Sequence, residues 1–403
     1  MSRGDGVKLR ALVLAAGGVL TLRPEIALAE QRFFLDVSAG ATASRNPFLQ
    51  TGDNSRAASA FVQVDPQFEI SDEVSEVTFN GSFRFNRYTR LYGNDASAQG
   101  GVKIERHLSS ATLLRARASA QVARTSALDF ITSPGVGLPD ENAPAILPDV
   151  TFAGTRSRTT VFQADLGLDH DINARERLAI DLAATTTEFS QAGQSDYRFV
   201  TSDLDYRRTL SERTSVFAAV RLGYSDFLGS KLDDGVIVAP TIGLSTRLNP
   251  RLTLEAGLGA SYSRVNDLGG RKDSRLVPSA RLILCESIVD SKGCFKVSRG
   301  SQPTALSGLT TVTTASFSYN KPISQRDQIY ASANYTRSDR PKTLRVGQSS
   351  DLLTASATYD RTFNRRFSVY LTPSYARIFD SSVRRRADIA VRVGVRYRLG
   401  SEG

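Results

Sequence analysis

The chain has no tryptophan, one methionine, two cysteines and two histidines. Each scarcity excludes something. Without tryptophan, any aromatic belt at a membrane surface must be built from Tyr and Phe. Two histidines and two cysteines are too few for a zinc site of four protein ligands, and no His lies near the cysteines. His107 and His170 stand alone, with no Ser or Asp arrangement that would make either a catalytic base. No phosphate loop, zinc spacing or calcium-loop motif occurs, so no cofactor and no catalytic residue is expected. Long apolar runs are absent too. Nothing reaches the roughly 18 consecutive apolar residues of a spanning helix, which excludes a helical membrane protein.

What is present is alternation. From about Gln31 onward, short stretches of alternating apolar and polar residues repeat, separated by turn or loop residues. Ile389-Ala390-Val391-Arg392-Val393-Gly394-Val395-Arg396-Tyr397 shows the pattern well. Successive side chains of a strand point to opposite faces, so this is a sheet with one apolar and one polar face. A soluble sandwich would turn the apolar faces inward. The number and length of the segments favour the inverse: an all-β antiparallel transmembrane barrel, apolar outside and polar within.

The N-terminal residues read as an export signal. Arg3, Lys8 and Arg10 precede an apolar run, Ala11 to Leu22, and Ala27-Leu28-Ala29 is a small-x-small cleavage site. Residues 1–29 are thus a cleaved leader and 30–403 one barrel domain. The formal charge is +10, of which the leader carries +2. A basic surface suits anionic lipid headgroups or acidic solutes. An exported protein with no binding motif is not a nucleic-acid binder. Cys285 and Cys294 meet an oxidising compartment, and a turn lies between them, so a disulfide clasping neighbouring strands is expected.

Eighteen strands are expected: 32–44, 57–70, 76–88, 98–108, 111–125, 157–170, 176–189, 197–210, 213–225, 235–248, 251–264, 274–286, 293–299, 308–321, 327–338, 351–363, 366–379 and 387–399. Short connections such as 71–73, 108–110 and 173–175 alternate with longer ones: 45–56, 89–97, 126–156, 190–196, 226–234, 265–273, 300–307, 339–350 and 380–386. Short periplasmic turns and longer extracellular loops are the usual asymmetry of outer-membrane barrels. Pro66, Pro240, Pro278 and Pro373 sit in mid-strand, on the apolar parity, where each removes a ladder donor.

The polar parity is charged. Arg84, Arg115, Arg117, Arg392, Arg396 and Arg398 form a basic arc if the barrel closes, beside an acidic arc of Asp165, Asp169, Asp181, Asp203 and Asp205. Either the arcs neutralise each other in cross-strand pairs, or they set a lumen field that orients polar solutes. The longest loop, 126–156, carries Asp129, Asp140, Glu141 and Asp149 and no basic residue before Arg156. It is the candidate constriction loop, the other reading being an exposed loop.

Gly40-Ala41-Thr42-Ala43-Ser44-Arg45-Asn46-Pro47-Phe48-Leu49 resembles the start of the β-barrel porins often found with exopolysaccharide secretion genes. The next strand, carrying Asp65-Pro66, and the regular hairpins after it are similar too. The resemblance covers nearly the whole mature chain. It implies an outer-membrane barrel of about this size, some relatives of which pass secreted polysaccharide alongside a periplasmic export partner. The expected function is therefore a channel for polar solute or polysaccharide, in contact with outer-membrane lipid. A general diffusion porin or a plugged adhesive barrel is the alternative, and homo-oligomers are left open.

Overall fold

The computed structural model describes residues 30–52, 55–124, 154, 156–190, 194–228, 232–267, 272–288, 290–304, 308–339, 350–379 and 385–400. The expected leader and the loop acids Asp129, Asp140, Glu141 and Asp149 lie outside the described residues.

Eighteen strands follow in order: β1 (Glu30–Ser44), β2 (Ala57–Ser71), β3 (Ser75–Tyr88), β4 (Asn94–Ser109), β5 (Thr112–Arg124), β6 (Arg158–Asn173), β7 (Glu176–Phe189), β8 (Tyr197–Thr209) and β9 (Thr214–Phe227), then β10 (Leu232–Arg247), β11 (Leu252–Asp267), β12 (Lys272–Ile288), β13 (Ser291–Thr304), β14 (Gly308–Pro322), β15 (Asp327–Ser338), β16 (Ser350–Asn364), β17 (Phe367–Phe379) and β18 (Asp388–Leu399). Every strand pairs antiparallel with its sequence neighbours, and β1 also pairs with β18 from Leu35↔Leu399 to Ser44↔Ala390. The sheet is therefore a closed barrel with no free edge at its ends. Among the described residues there is no helix.

The alternation in sequence becomes the two faces of this wall. On β18, Ile389, Val391, Val393 and Val395 are exposed outward, while Asp388, Ala390 and Arg392 are buried inward. The same outward row continues as Leu222 on β9, Ile242 on β10, Leu258 on β11 and Leu276 on β12. Ile242, Leu258 and Leu276 are 71%, 69% and 72% exposed. Water would charge about 25 cal/mol for each Å² of such surface.

Connections at the rim where β1 begins and β18 ends hold two to four residues. Those at the other rim run from three residues, 305–307, to 33, 125–157. We call these the turn rim and the loop rim. Four connections expected to be long, 89–97, 226–234, 265–273 and 300–307, shorten to 89–93, 228–231, 268–271 and 305–307. The strands climb past the last apolar residue because backbone pairing continues wherever a partner strand is present. The segment with the thinnest sequence support, 293–299, is a full strand, β13, separated from β12 only by residues 289 and 290. Cys285 and Cys294 are direct cross-strand partners joined by a disulfide, with Cα atoms 4.1 Å apart.

The mid-strand prolines obey one rule. Leu248 N–H bonds the Leu252 carbonyl, so even-numbered β10 residues point their backbone groups at β11. Pro240 is one of them, and the β10–β11 ladder skips two pairs there, from Val238↔Tyr262 to Thr241↔Gly259, without changing register. The bond from Thr89 N–H to the Ala58 carbonyl likewise aims Pro66 at β3, and that ladder skips from Val64↔Phe83 to Gln67↔Asn80. Pro373 faces β16, where pairing jumps from Ser356↔Ser374 to Tyr359↔Leu371. Each proline faces outward and opens a gap on one side only.

Pro278 does more. Ser287 N–H bonds the Arg251 carbonyl, which aims the even-numbered β12 residues at β13. The last β12–β13 pair is Ala280↔Arg299, so the next rung would need the N–H that Pro278 lacks. Beyond it both strands continue but separate. β13 and β14 turn inward: Ser261 Oγ on the inner face of β11 donates to Ser301 Oγ at 2.9 Å. Leu309 packs with Tyr197, Phe227 and Ile237 on the inner faces of β8, β9 and β10.

Candidate functional site

The interior is the candidate site. Register and burial place Arg84, Arg115, Arg117, Asp165, Asp169, Asp181, Asp203, Asp205, Arg392, Arg396 and Arg398 all on the inward parity. They do not form two separate arcs of free charge. Arg115 on β5 forms an ion pair with Asp169 on β6, Nε to Oδ2 2.9 Å, and donates from Nη2 to Asp181 Oδ1 on β7 at 3.2 Å. Asp169 also takes Arg177 at 3.1 Å, and Asp203 takes Arg221 Nε at 2.7 Å. Arg117 stands opposite Asp165 in register, and Asp165 accepts from Gln163 Nε2 at 2.8 Å. Arg398 clamps Asp36 on β1 through Nε and Nη2, both at 2.8 Å. Asp205 shares the inner face of β8 with Arg207, which together with Arg281 holds Glu255 at 3.1 and 3.2 Å. Half-exposed pairs of this kind stabilise little in water, but they fix where charge points in the lumen.

A second motif is aromatic. Gly40 on β1 and Gly394 on β18 are paired, and both lack the side chain that would fill the inner wall there. Phe61 lies over Gly40, where an added Cβ would come within 2.9 Å of its ring. Tyr370 lies over Gly394, 2.6 Å from where a Cβ would stand. The rings lie against the wall at these glycines, and guanidinium groups stack on them. Arg84 and Arg392 lie 4.9 and 5.4 Å from the Phe61 centroid, and Arg396 lies 5.5 Å from Tyr370. Arg396 also reaches Asp360 at 3.4 Å. Across the barrel Arg207 covers Phe217 at 5.4 Å. Where the guanidinium is buried, as at Arg84 and Arg392, a cation–π contact reaches about 2 kcal/mol.

The wall from β13 to β17 carries hydroxyls instead. Ser298 meets Thr314 at 2.6 Å, Ser332 meets Ser356 at 3.0 Å and Thr358 meets Thr372 at 2.9 Å. The Thr358–Thr372 contact bridges the gap that Pro373 leaves in the ladder. The interior is therefore lopsided: paired charges crowd the wall from β18 round to β12, and hydroxyl pairs prevail from β13 to β17, beside Lys296 and Asp360.

At the loop rim the β1–β2 connection folds inward. Asn46 is fully buried: its N–H donates to Asp388 Oδ1 at 2.8 Å, and its Nδ2 donates to the Gln50 and Arg386 carbonyls. Phe48 inserts between Tyr88 and Tyr92, 5.6 and 4.8 Å away, and Arg156 covers Phe48 at 5.0 Å. Leu49 points the other way, onto Leu352, Ala376 and Ile378 of β16 and β17. Its φ of 51° is held by this burial. Two inward elements thus narrow the outer mouth, this connection and the β13–β14 tip.

The sequence reading missed Asp36, Arg177, Arg207, Arg221, Glu255 and Arg281. Parity alone would have included them; which of them meet depends on register. His170 sits at the turn rim, 2.9 Å from Thr112 Oγ1 through Nδ1. Among the described residues no group of three or more His, Cys, Asp and Glu is placed to hold a metal ion.

No family model and no curated protein matches the chain. Solved structures align with it loosely. OccK2 (OpdF) of Pseudomonas aeruginosa is 10% identical, covers 93% of this chain and 99% of its own, and gives a TM-score of 0.47. OpdQ of the same organism is 9% identical over 92% and 99%, with a TM-score of 0.45. The FrpB iron transporter of Neisseria meningitidis, F5-1 variant, is 9% identical over 92% and 83%, at 0.46.

Proposed function

We propose that this barrel sits in an outer membrane and passes polar solute through its lumen. The carrying observation is the inversion of polarity: a closed wall whose outer face is apolar and exposed and whose inner face is charged and hydrogen-bonded. Only such a wall satisfies its backbone in lipid without helices. The dimensions support it. On β11 the outward row runs from Leu252 to Tyr262, ten residues. At about 3.3 Å per residue and a tilt of about 40°, that is about 25 Å of height, the thickness of an apolar belt. Outward Tyr224, Tyr262, Tyr335 and Tyr375 mark its upper edge, and Tyr206, Phe295, Tyr359 and Tyr397 its lower one. The turn rim then faces the periplasm, and a leader over 1–29 would direct export.

The finer reading is that the cargo is a secreted anionic polysaccharide, handed over by a periplasmic export partner. Guanidinium groups held in place over aromatic rings suit it, since carboxylates pair with guanidinium. The inward β1–β2 connection and the β13–β14 tip favour a selective pore over general diffusion. The reading needs no catalysis and no cofactor.

Single-channel recording in planar bilayers tests this. Discrete conductance steps are expected, blocked by polygalacturonate at concentrations where neutral dextran of equal length has no effect. A silent barrel would remove the transport reading, and equal block by both polymers would remove the anionic cargo.

A further inference from the structure

We infer that a patch of uncharged amides on the inner wall of β2 to β5 is a binding site for the hydroxyl groups of a glycan chain. The inference deepens the channel reading and rests on it: arginines answer the charge of a cargo, and the amides answer its sugar rings. The patch lies midway along the strands. Gln67 on β2 pairs in register with Asn80 on β3, Asn80 with Gly101 on β4, and Gly101 with Ser119 on β5. At the next inward position towards the loop rim, Gln99 on β4 pairs with Gln121 on β5. All of them share the inward parity of Arg84 and Arg117.

Two properties set the patch apart from the rest of the wall. Gln67, Asn80, Gln99, Ser119 and Gln121 are exposed to the lumen, whereas Phe61, Arg84 and Arg392 nearby are buried. Among the described residues, none of these five side chains has a hydrogen-bond partner. Neighbouring polar groups are spent on one another. Gln63 and Gln163 donate to Asp65 and Asp165, and Lys103 is paired with Glu105. The hydroxyls of the far wall bond in couples, Ser332 with Ser356 and Thr358 with Thr372. Glycine at 101 keeps the floor of the patch open. A Cβ there would stand 3.0 Å from Asn80 Oδ1 and would push that amide out of the row.

The chemistry of the patch selects its ligand. A carboxamide is neutral, donates two hydrogen bonds and accepts others from one planar head. A sugar hydroxyl also donates and accepts, so adjacent hydroxyls on a ring are matched whichever way each one points. Directly paired residues have Cβ atoms about 5 Å apart, which lets Gln99 and Gln121 grip one ring together. From β2 to β5 the patch runs about 14 Å. That exceeds one ring and suits a chain of sugars. Bonds between neutral groups are not screened by salt, so this grip persists where charge recognition fades.

The test uses the refolded full-length barrel in an amine-oxide detergent, which carries no sugar, with maltohexaose as the neutral probe. Saturation-transfer NMR measures binding, and current noise in planar bilayers measures it again in the open channel. Binding is expected in the millimolar range, the strength of a few net hydrogen bonds, and within twofold between 0.1 and 1 M KCl. The triple variant Asn80→Leu, Gln99→Met, Gln121→Met keeps side-chain size and removes the amides. It should bind about tenfold more weakly. Should it fail to fold, Gln67→Met with Ser119→Ala, at the two ends of the lower row, should weaken binding about threefold. Equal binding by wild type and variant would overturn the site, as would no binding at 50 mM sugar. Tenfold weaker binding in 1 M salt would assign the sugar to the charged wall and overturn it too. A barrel that binds maltohexaose through these amides but never conducts would overturn the channel reading and leave the site standing.

Discussion

Two leucines on neighbouring strands offer a direct measurement of whether lipid surrounds the wall. Leu258 on β11 and Leu276 on β12 both point outward and are 69% and 72% exposed. Leu276 is the register partner of Tyr262, four residues above Leu258 on β11. Four residues at about 3.3 Å and a tilt of about 40° make about 10 Å. Leu258 therefore sits near the middle of the belt and Leu276 at its upper boundary. Replacing each by arginine should cost about 2–4 kcal/mol at Leu258 and about 0–1 kcal/mol at Leu276. A difference of about 2–3 kcal/mol is roughly a 30- to 150-fold difference in the folding equilibrium. In water the two would cost the same, because both side chains are equally open and surface changes stay within about 0.5 kcal/mol. The assay is urea unfolding of the refolded barrel in phosphocholine vesicles, read by circular dichroism and by the mobility of unheated samples on gels. Equal urea midpoints for Leu258→Arg and Leu276→Arg would refute the inside-out arrangement and every argument about transport built on it.

Further outcomes follow from other parts of the wall. Changing both Cys285 and Cys294 to Ser opens a loop closed over a separation of nine residues, for which chain entropy gives about 2.5 kcal/mol. Oxidised and reduced wild type unfolding at the same urea concentration would contradict this. Gly40→Val drives the new Cβ into the Val393 carbonyl oxygen and the Phe61 ring. It should cost the upper end of about 1–3 kcal/mol or block closure of β1 on β18, visible as loss of the heat-modifiable gel band. Asp72, in the β2–β3 turn, has its carboxyl held below the ordinary 3.8 by the Ser75 hydroxyl and the Val74 and Ser75 N–H groups. Its stabilisation is complete above that value and is lost as pH falls through the lowered one. Asp72→Asn should therefore flatten the acid limb of the urea midpoint against pH, and an unchanged limb would count against the turn. Removing the ring with Phe48→Ala should loosen the inward β1–β2 connection and raise open-channel noise in bilayer recordings.

The strand pattern was plain in the sequence because a wall with lipid on one side and water on the other imposes period two over every segment. The eleven inward charges could be placed by counting from Val391 or Leu178. Which of them meet could not. Arg115 reaches two aspartates because β5, β6 and β7 lie in one particular stagger, and stagger is decided by turn lengths on both rims together. The prolines were opaque for a related reason. Parity shows that Pro66, Pro240, Pro278 and Pro373 face outward, but only the hydrogen-bond alternation shows which neighbour each one slights. The β13–β14 tip was hidden most deeply. Ser301 and Leu309 keep the outward parity of their strands, yet they touch the inner wall because the whole ribbon has turned over the mouth. Asn46-Pro47-Phe48-Leu49 stood out only as a family-like string. Its inward course depends on Tyr88, Tyr92 and Ile378, which lie far from it in the chain.

The four prolines also divide the cylinder like joints between staves. Their gaps fall between β2 and β3, β10 and β11, β12 and β13, and β16 and β17. These mark off panels of eight, two, four and four strands. Within a panel no ladder skips pairs in mid-strand. Across a joint some pairs are missing, so shear and bending concentrate there. A cylinder jointed this way can change its cross-section, from round towards oval, without breaking a continuous ladder, and a bulky guest passing through would be accommodated by the wall as well as by the mouth.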